Sequence, residues 1–167
     1  MKFAAAAIAI VLLSSAPAFA QQVRLIGEFR SWSAYAATEQ TGPVCFALTR
    51  PTEVTPQPDE FTEAYLYLTH RPSLGVHNEL NLVAGYTFAA DTPATAIVGG
   101  QSFELFTSKD AAWLLNPGQN DALAGALRAG ADVVIEGTSD KGIKVSETFS
   151  LTGATAASRA LEGECAG

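Results

Sequence analysis

Residues 96–106 of the chain read AIVGGQSFELF, and this stretch gives the clearest indication of the fold. Two runs of strand-forming residues flank the adjacent glycines Gly99 and Gly100. Both glycines can adopt a positive φ without a steric penalty, as the two-residue turn of a β-hairpin requires. Because side chains alternate along a strand, Phe103 and Leu105 share one face and Phe106 lies on the other. The stretch therefore predicts a β-hairpin.

Segments of the same kind occur on both sides of this hairpin. Runs of strand-forming residues are found at 23–35, 44–49, 65–69, 79–88, 133–135 and 143–149. Turn-forming residues separate several of them, including residues 38–43 and 137–142. Gly85 indicates a bulge within the run 79–88.

Tyrosines and leucines alternate in the run 65–69. Tyr65 and Tyr67 fall on one face of the predicted strand, and Leu66 and Leu68 fall on the other. A half-buried sheet face would explain the tyrosines, and so would an exposed surface that meets a ligand or a partner. Tyr65 and Tyr67 are therefore our candidates for an interaction surface.

Two segments are predicted to be helical. Residues 116–131 contain one short helix, with Asn120 or Asp121 as its cap and Gly130 where it ends. A second short helix is expected over residues 154–161. The proline-rich residues 51–59 are expected to form a surface loop.

Seven or eight strands with one or two short helices are typical of an antiparallel β-sandwich. The chain lacks the alternating β-α units of a doubly wound sheet. A small closed β-barrel is the alternative, because strand period and turn chemistry do not distinguish an open sheet from a closed one.

Residues 1–20 have the pattern of a secretory signal peptide. Lys2 precedes an apolar run from Phe3 to Leu13, and Ala18-Phe19-Ala20 precedes Gln21. The run is shorter than the roughly 20 apolar residues that span a membrane. We therefore expect cleavage before Gln21 and export to the periplasm, with the outer surface or secretion as alternatives. Residues 21–167 have the size of a single domain.

The exported part is acidic. The whole chain has 10 basic and 17 acidic residues, a net charge of −7, and cleavage removes only Lys2 and leaves −8. Such a surface disfavours contact with nucleic-acid phosphates and anionic lipids. No second apolar run of spanning length follows Gln21. We expect neither nucleic-acid binding nor membrane insertion after cleavage.

Cys45 and Cys165 are the two cysteines of the chain. An oxidising compartment favours their pairing, and two cysteines allow one intramolecular disulfide. In the chain-entropy model, closing a loop of this length stabilises the fold by about 4 to 5 kcal/mol. Two buried free thiols or an intermolecular bridge are the alternatives.

The sequence contains no recognisable catalytic constellation. His70 and His77 would need carboxylates such as Glu79 to hold a metal ion, and the spacing does not supply that site. We interpret them as partly exposed residues at loop edges. Cys45 with His70 as its base is less plausible than a structural disulfide. We therefore expect no catalytic residues, no metal site and no cofactor, and a chain that is not an enzyme.

The two tryptophans are assigned to the core. Trp32 and Trp113 invite comparison with a binding platform, but burial of such a large apolar surface is the commoner role of tryptophan.

An ordered set of motifs resembles the invasion associated locus B family of exported bacterial proteins. The motifs are Phe29-x-x-Trp32, Cys45, Arg71-Pro72, Gly85-Tyr86, Ala112-Trp113, Leu127-Arg128-Ala129-Gly130, Gly137-Thr138-Ser139-x-x-Gly142, Phe149-Ser150-Leu151-x-Gly153 and Cys165. The resemblance covers nearly all of residues 21–167. It implies an immunoglobulin-like β-sandwich in the periplasm or on the outer surface, and it brings no catalytic residues with it.

These observations lead to one functional hypothesis and two alternatives. The leading one is a non-enzymatic envelope domain that binds a protein of the envelope or of a host. The first alternative is a surface-exposed invasion or adhesion factor, which the family name suggests. The second is an envelope hydrolase that uses His70 or His77 with a carboxylate.

Overall fold

The computed structural model describes residues 23–166. Within this range the strands are β1 (Arg24–Phe29), β2 (Trp32–Glu39), β3 (Gly42–Thr49), β4 (Glu53–Thr55), β5 (Tyr65–Arg71), β6 (Val76–Val83), β7 (Ala94–Val98), β8 (Gln101–Ser108), β9 (Ala111–Leu114), β10 (Asp132–Thr138) and β11 (Lys144–Ser150). The helices are α1 (Asn120–Ala129) and α2 (Ala154–Glu164). The predicted signal peptide lies outside the described residues.

The strands form one antiparallel sheet in the order β1-β2-β3-β5-β6-β9-β8-β7-β10-β11-β4. Strands β1 and β4 are its two edges and do not pair with each other, so the sheet formed by the described residues is open. The predicted all-β, sandwich-like fold with two short helices is confirmed. The closed-barrel alternative is wrong.

The two ends of the sheet curl towards each other over a shared core. The indole N–H of Trp32 in β2 donates to the carbonyl of Ser150 in β11 at 3.0 Å. The backbone N–H of Ser31 donates to the carbonyl of Thr152 at 3.2 Å. Both halves of the sheet contribute to the same buried cluster, which includes Leu66, Leu68, Leu80, Leu82, Val98, Phe103, Leu105, Val133, Ile135 and Phe149. The core therefore lies between the two halves.

The hairpin at residues 96–106 forms as predicted. Gly99 and Gly100 have φ values of 56° and 82°, so both adopt the left-handed conformation of a primed turn. Phe103 and Leu105 are buried, whereas Phe106 is 43% exposed on the opposite face. The hairpin of β10 and β11 also forms, and Val145 and Phe149 are both buried on one face.

Three local predictions need correction. The run 23–35 contains two strands, because the chain reverses at Arg30, whose φ is 59°. The expected loop at 51–59 contains the short strand β4, which pairs with β11. The run 79–88 ends as a strand at Val83, and Gly85, with a φ of 71°, lies beyond that end rather than at a bulge within it.

The ends of helix α1 differ in part from the prediction. Gln119 occupies the N-cap position instead of Asn120 or Asp121, because a 3₁₀ turn at Pro117–Gln119 leads directly into the helix. The helix ends at Gly130 as expected, where the backbone becomes extended with a φ of −79° and a ψ of 159°. A glycine is required there, because a Cβ would lie 2.7 Å from Cγ1 of Val98. Among the described residues, neither helix is long and apolar enough to cross a membrane.

Helix α2 lies against strands β1, β2 and β3. It buries Ala157 and Leu161 and ends beside Cys165, which forms a disulfide with Cys45 of β3. The two Cα atoms are 6.0 Å apart and 120 residues apart in the chain. The disulfide therefore ties the C-terminal helix to the sheet.

Candidate binding surface

Six aromatic side chains lie on the side of the sheet that faces away from the core. We call this set the outer aromatic face, and it consists of Tyr35, Phe46, Tyr65, Tyr67, Phe106 and Trp113. Their strand neighbours in sequence, such as Leu66 and Leu68, are buried in the core, so alternation directs the aromatic rings outwards. Five of the six are half-buried, and Phe106 is exposed. The predicted interaction residues Tyr65 and Tyr67 belong to this face.

The rings form two groups. In the first group, Tyr35 stacks on Phe46 with 5.5 Å between ring centroids, and Tyr67 lies 6.3 Å from Phe46 and 6.1 Å from Tyr65. These contacts join strands β2, β3 and β5. Partial burial, followed by the influence of Tyr65, raises the pKa of Tyr67 above its ordinary value.

In the second group, Phe106 of β8 stacks on Trp113 of β9. The centroids are 5.2 Å apart and the ring planes differ by 18°. Asn81 of β6 is the register partner of both Tyr67 and Trp113, so it lies between the two groups. The assignment of Trp113 to the core is wrong, since it is only partly buried and lies on the outer face, whereas Trp32 is 1% exposed as predicted.

Charged residues border the first group. The guanidinium of Arg50 lies 5.3 Å from the ring centroid of Tyr65, donates to its hydroxyl at 3.0 Å and pairs with Glu63 at 2.9 Å. The hydrogen bond to Tyr65, with the negative charge of Glu63, raises the pKa of Arg50. The face therefore already holds one cation against an aromatic ring.

A groove of about 700 Å³ opens at the Phe106–Trp113 end of the face. Its lining includes His77, Glu79 and Asn120 beside the two rings. The side-chain amide of Asn120 donates to the carbonyl of His77 at 2.6 Å and so ties the start of α1 to β6. The volume lies within the range of sites that hold small ligands or side chains.

The two histidines come together, although not as expected. Their ring centroids are 4.9 Å apart, but His70 is only 3% exposed, so its interpretation as a partly exposed loop-edge residue is wrong. The Nδ1 atom of His70 accepts the backbone N–H of Asn78 at 3.1 Å. Burial, and then the neighbouring His77, lowers the pKa of His70, and Glu162 partly offsets this lowering.

Among residues 23–166, no cluster of three or more His, Cys, Asp or Glu could hold a metal ion.

Cys45 and His70 are register partners on adjacent strands. The Cys45 sulfur is bonded to Cys165, so in this state it has no thiol that His70 could activate.

The buried carboxyl group of Glu147 was not predicted from the sequence. Glu147 lies between Val145 and Phe149 on the inner face of β11 and is 0% exposed. Neither of its oxygens accepts a hydrogen bond from the described residues, and the hydroxyl of the buried Tyr86 is also without a partner there. Burial raises the pKa of Glu147 to about 8 and, with the added effect of Glu147, raises that of Tyr86. The alternation of residues 145–149 was the signal that could have placed Glu147 inside.

The fold and this face define an all-β, sandwich-like protein with an exposed aromatic surface. Among solved structures, the fold is similar to that of invasion associated protein B from Bartonella henselae, with a TM-score of 0.58 and 14% sequence identity. The alignment covers 83% of this chain and 95% of the Bartonella chain. At this identity the likeness is one of fold, and the fold agrees with the family resemblance. No family model and no curated protein matches the chain.

Proposed function

We propose that this chain is an exported, non-enzymatic protein of the bacterial envelope that binds another protein through its outer aromatic face. The proposal rests mainly on one observation. Six partly exposed aromatic side chains lie together on one face of the sheet. Contiguous apolar and aromatic patches on soluble proteins mark interaction sites, and aromatic residues are enriched at protein interfaces. The secretory pattern of residues 1–20 and the fold shared with invasion associated protein B support the location.

The geometry of the face also supports a protein partner. Leu25, which is 50% exposed, is the register partner of Tyr35 on the edge strand β1. The apolar surface therefore extends from that edge through the first aromatic group towards Phe106 and Trp113. An extended surface of this kind suits a macromolecule better than a single small molecule.

The proposal is tested by affinity capture from envelope extracts with purified residues 21–167 as bait. The test variant replaces Tyr35 and Phe46 by serine. A matched control replaces by serine Leu74, which is 57% exposed and lies in the 3₁₀ turn Pro72–Leu74 rather than on a strand of the sheet. Mass spectrometry identifies the captured proteins, and thermal melting checks that both variants fold.

We expect one protein to be captured by the wild type and the control variant and lost with the test variant. Capture of no protein above background, or equal capture by all three baits, would contradict the proposal.

A second candidate function is that of a surface-exposed invasion or adhesion factor. It is favoured by the name of the protein whose fold is similar, invasion associated protein B. The net charge of −7 argues against adhesion to anionic cell surfaces. Protease digestion of intact cells separates the two candidates, because an exposed adhesion factor is cleaved and a periplasmic protein is protected.

A further inference from the structure

We propose that the groove at the Phe106–Trp113 end of the outer aromatic face binds an arginine or lysine side chain from a basic segment of the partner protein. This inference rests on the proposed function, and it adds the chemistry of the partner.

The groove exists because strand β9 is short. It pairs with β6 only from Asn81 to Val83, so residues 76–80 of β6 extend beyond it. After Leu114 the chain turns through Pro117–Gln119 into α1, and this turn forms a wall of the groove. Trp113 and Phe106 lie next to this opening with their rings nearly parallel. The result is a concave site with two aromatic rings among its lining residues.

The charge of the groove is negative. Glu79 is the only Asp, Glu, Lys or Arg among the described residues that line it. Its carboxylate shares the Arg71 guanidinium with Glu39, at distances of 3.1 and 3.7 Å, so this cluster of three has a net charge of −1. Glu104 lies two residues before Phe106 on the same face of β8 and is exposed. Carboxylates near the site would therefore attract a cation.

Aromatic rings and carboxylates together favour a guanidinium or an ammonium group. A cation over a ring is attracted by the negative face of the π system, and a tryptophan ring provides the strongest such attraction. The aliphatic part of an arginine or lysine side chain also packs on apolar surface while its charged end reaches a carboxylate. Arg50, whose guanidinium lies 5.3 Å from the ring centroid of Tyr65 and donates to its hydroxyl, is a cation already held beside an aromatic ring of this face. The net charge of −7 would attract a basic segment from a distance as well.

The first experiment measures tryptophan fluorescence of residues 21–167 during titration with acetyl-Gly-Arg-Gly-Arg-Gly-amide. Trp113 reports on the groove, because Trp32 is 1% exposed and far less accessible to a ligand. The matched probe contains citrulline in place of arginine, which removes the charge and keeps nearly the same shape. Isothermal titration calorimetry provides a second reading that does not depend on tryptophan.

We expect saturable binding of the arginine peptide and about tenfold weaker binding of the citrulline peptide. The variant Glu79→Gln is expected to weaken binding by about fivefold, and 300 mM salt is expected to weaken it further. The control Glu136→Gln makes the same charge change at an exposed site on β10, outside the groove, and should bind as the wild type does. The variant Trp113→Phe should lose the fluorescence signal and should bind the arginine peptide more weakly in calorimetry, because a phenylalanine ring attracts a cation less strongly than a tryptophan ring does.

Three results would overturn the inference: no binding of the arginine peptide, equal binding of both peptides, or affinity unchanged by Glu79→Gln. Tighter binding of the neutral glycan chitotetraose would also overturn it and assign the groove to carbohydrate. If a partner is captured through Tyr35 and Phe46 but the arginine peptide does not bind, the proposed function stands and this inference fails. If the peptide binds and no partner is captured, the proposed function fails instead.

Discussion

We expect the buried carboxyl group of Glu147 to make the free energy of unfolding fall as the pH rises. Glu147 is fully buried, and no described residue donates a hydrogen bond to either oxygen. The carboxylate would lose its hydration without receiving a partner, so burial raises its pKa from 4.5 to about 8. The perturbation we choose is Glu147→Gln, which keeps the shape of the neutral carboxyl group and removes its titration.

The size of the effect follows from the two pKa values. Below pH 4.5 the Glu147 side chain is protonated in both the folded and the unfolded chain, so it adds no pH dependence. Between pH 4.5 and about 8 the unfolded chain releases the proton and the folded chain keeps it. The free energy of unfolding therefore falls as the pH rises, by about 1.4 kcal/mol per pH unit. The loss is about 3 kcal/mol at pH 7 and about 5 kcal/mol above pH 8.

The assay is urea denaturation of residues 21–167 at pH values from 4 to 9, followed by tryptophan fluorescence. Other titrating groups, His70 among them, contribute to both proteins and cancel in the difference between wild type and Glu147→Gln. We expect this difference to be small at pH 4 and to grow in favour of the variant up to about pH 8. Parallel stability curves for the two proteins, or a wild type that gains on the variant as the pH rises, would refute the reasoning.

Three further predictions concern the disulfide, a glycine and a tryptophan. Replacing Cys45 and Cys165 by alanine should lower the free energy of unfolding by about 4 kcal/mol in urea titrations, because the closed loop no longer restricts the unfolded chain; an unchanged midpoint would contradict this. Gly153→Ala should lower the free energy of unfolding by about 3 kcal/mol or more, because the glycine has a φ of 97° and an added Cβ would lie 1.8 Å from a backbone oxygen. In the control Gly163→Ala the added Cβ would have no atom within 4 Å, so the free energy of unfolding should stay equal or rise. Trp113→Phe should remove most of the acrylamide-quenchable fluorescence, and equal quenching of the remaining, buried tryptophan would show that the assignment of exposure is wrong.

The local elements of the fold were largely predictable. The two glycines at 99 and 100 specify their turn, because steric limits on φ act within one residue. The alternation of tyrosine and leucine in β5 assigned each side chain to a face. The reversal at Arg30 was not predicted, since a non-glycine residue at positive φ has no reliable local signal.

The candidate binding surface was predictable only in part. Tyr65 and Tyr67 were identified from their own strand, but the aromatic rings that flank them come from β2 and β3. Trp113 was placed in the core because its size favours burial on average. Its partly buried position on the outer face follows from the pairing of β9 with β6 and β8, which no local pattern specifies.

The sequence by itself determined the period-two strands, the Gly99-Gly100 turn and the two cysteines, because these depend on residue chemistry within a few positions along the chain. The tertiary structure alone decided the order of the strands, the gathering of six aromatic rings on one face, and the burial of Glu147 without a partner. Trp32 and Ser150, for example, are far apart in the chain but are joined by a direct hydrogen bond in the fold. Such contacts arise from long-range strand pairing and from packing of the two halves of the sheet over one core, which depend on the whole chain.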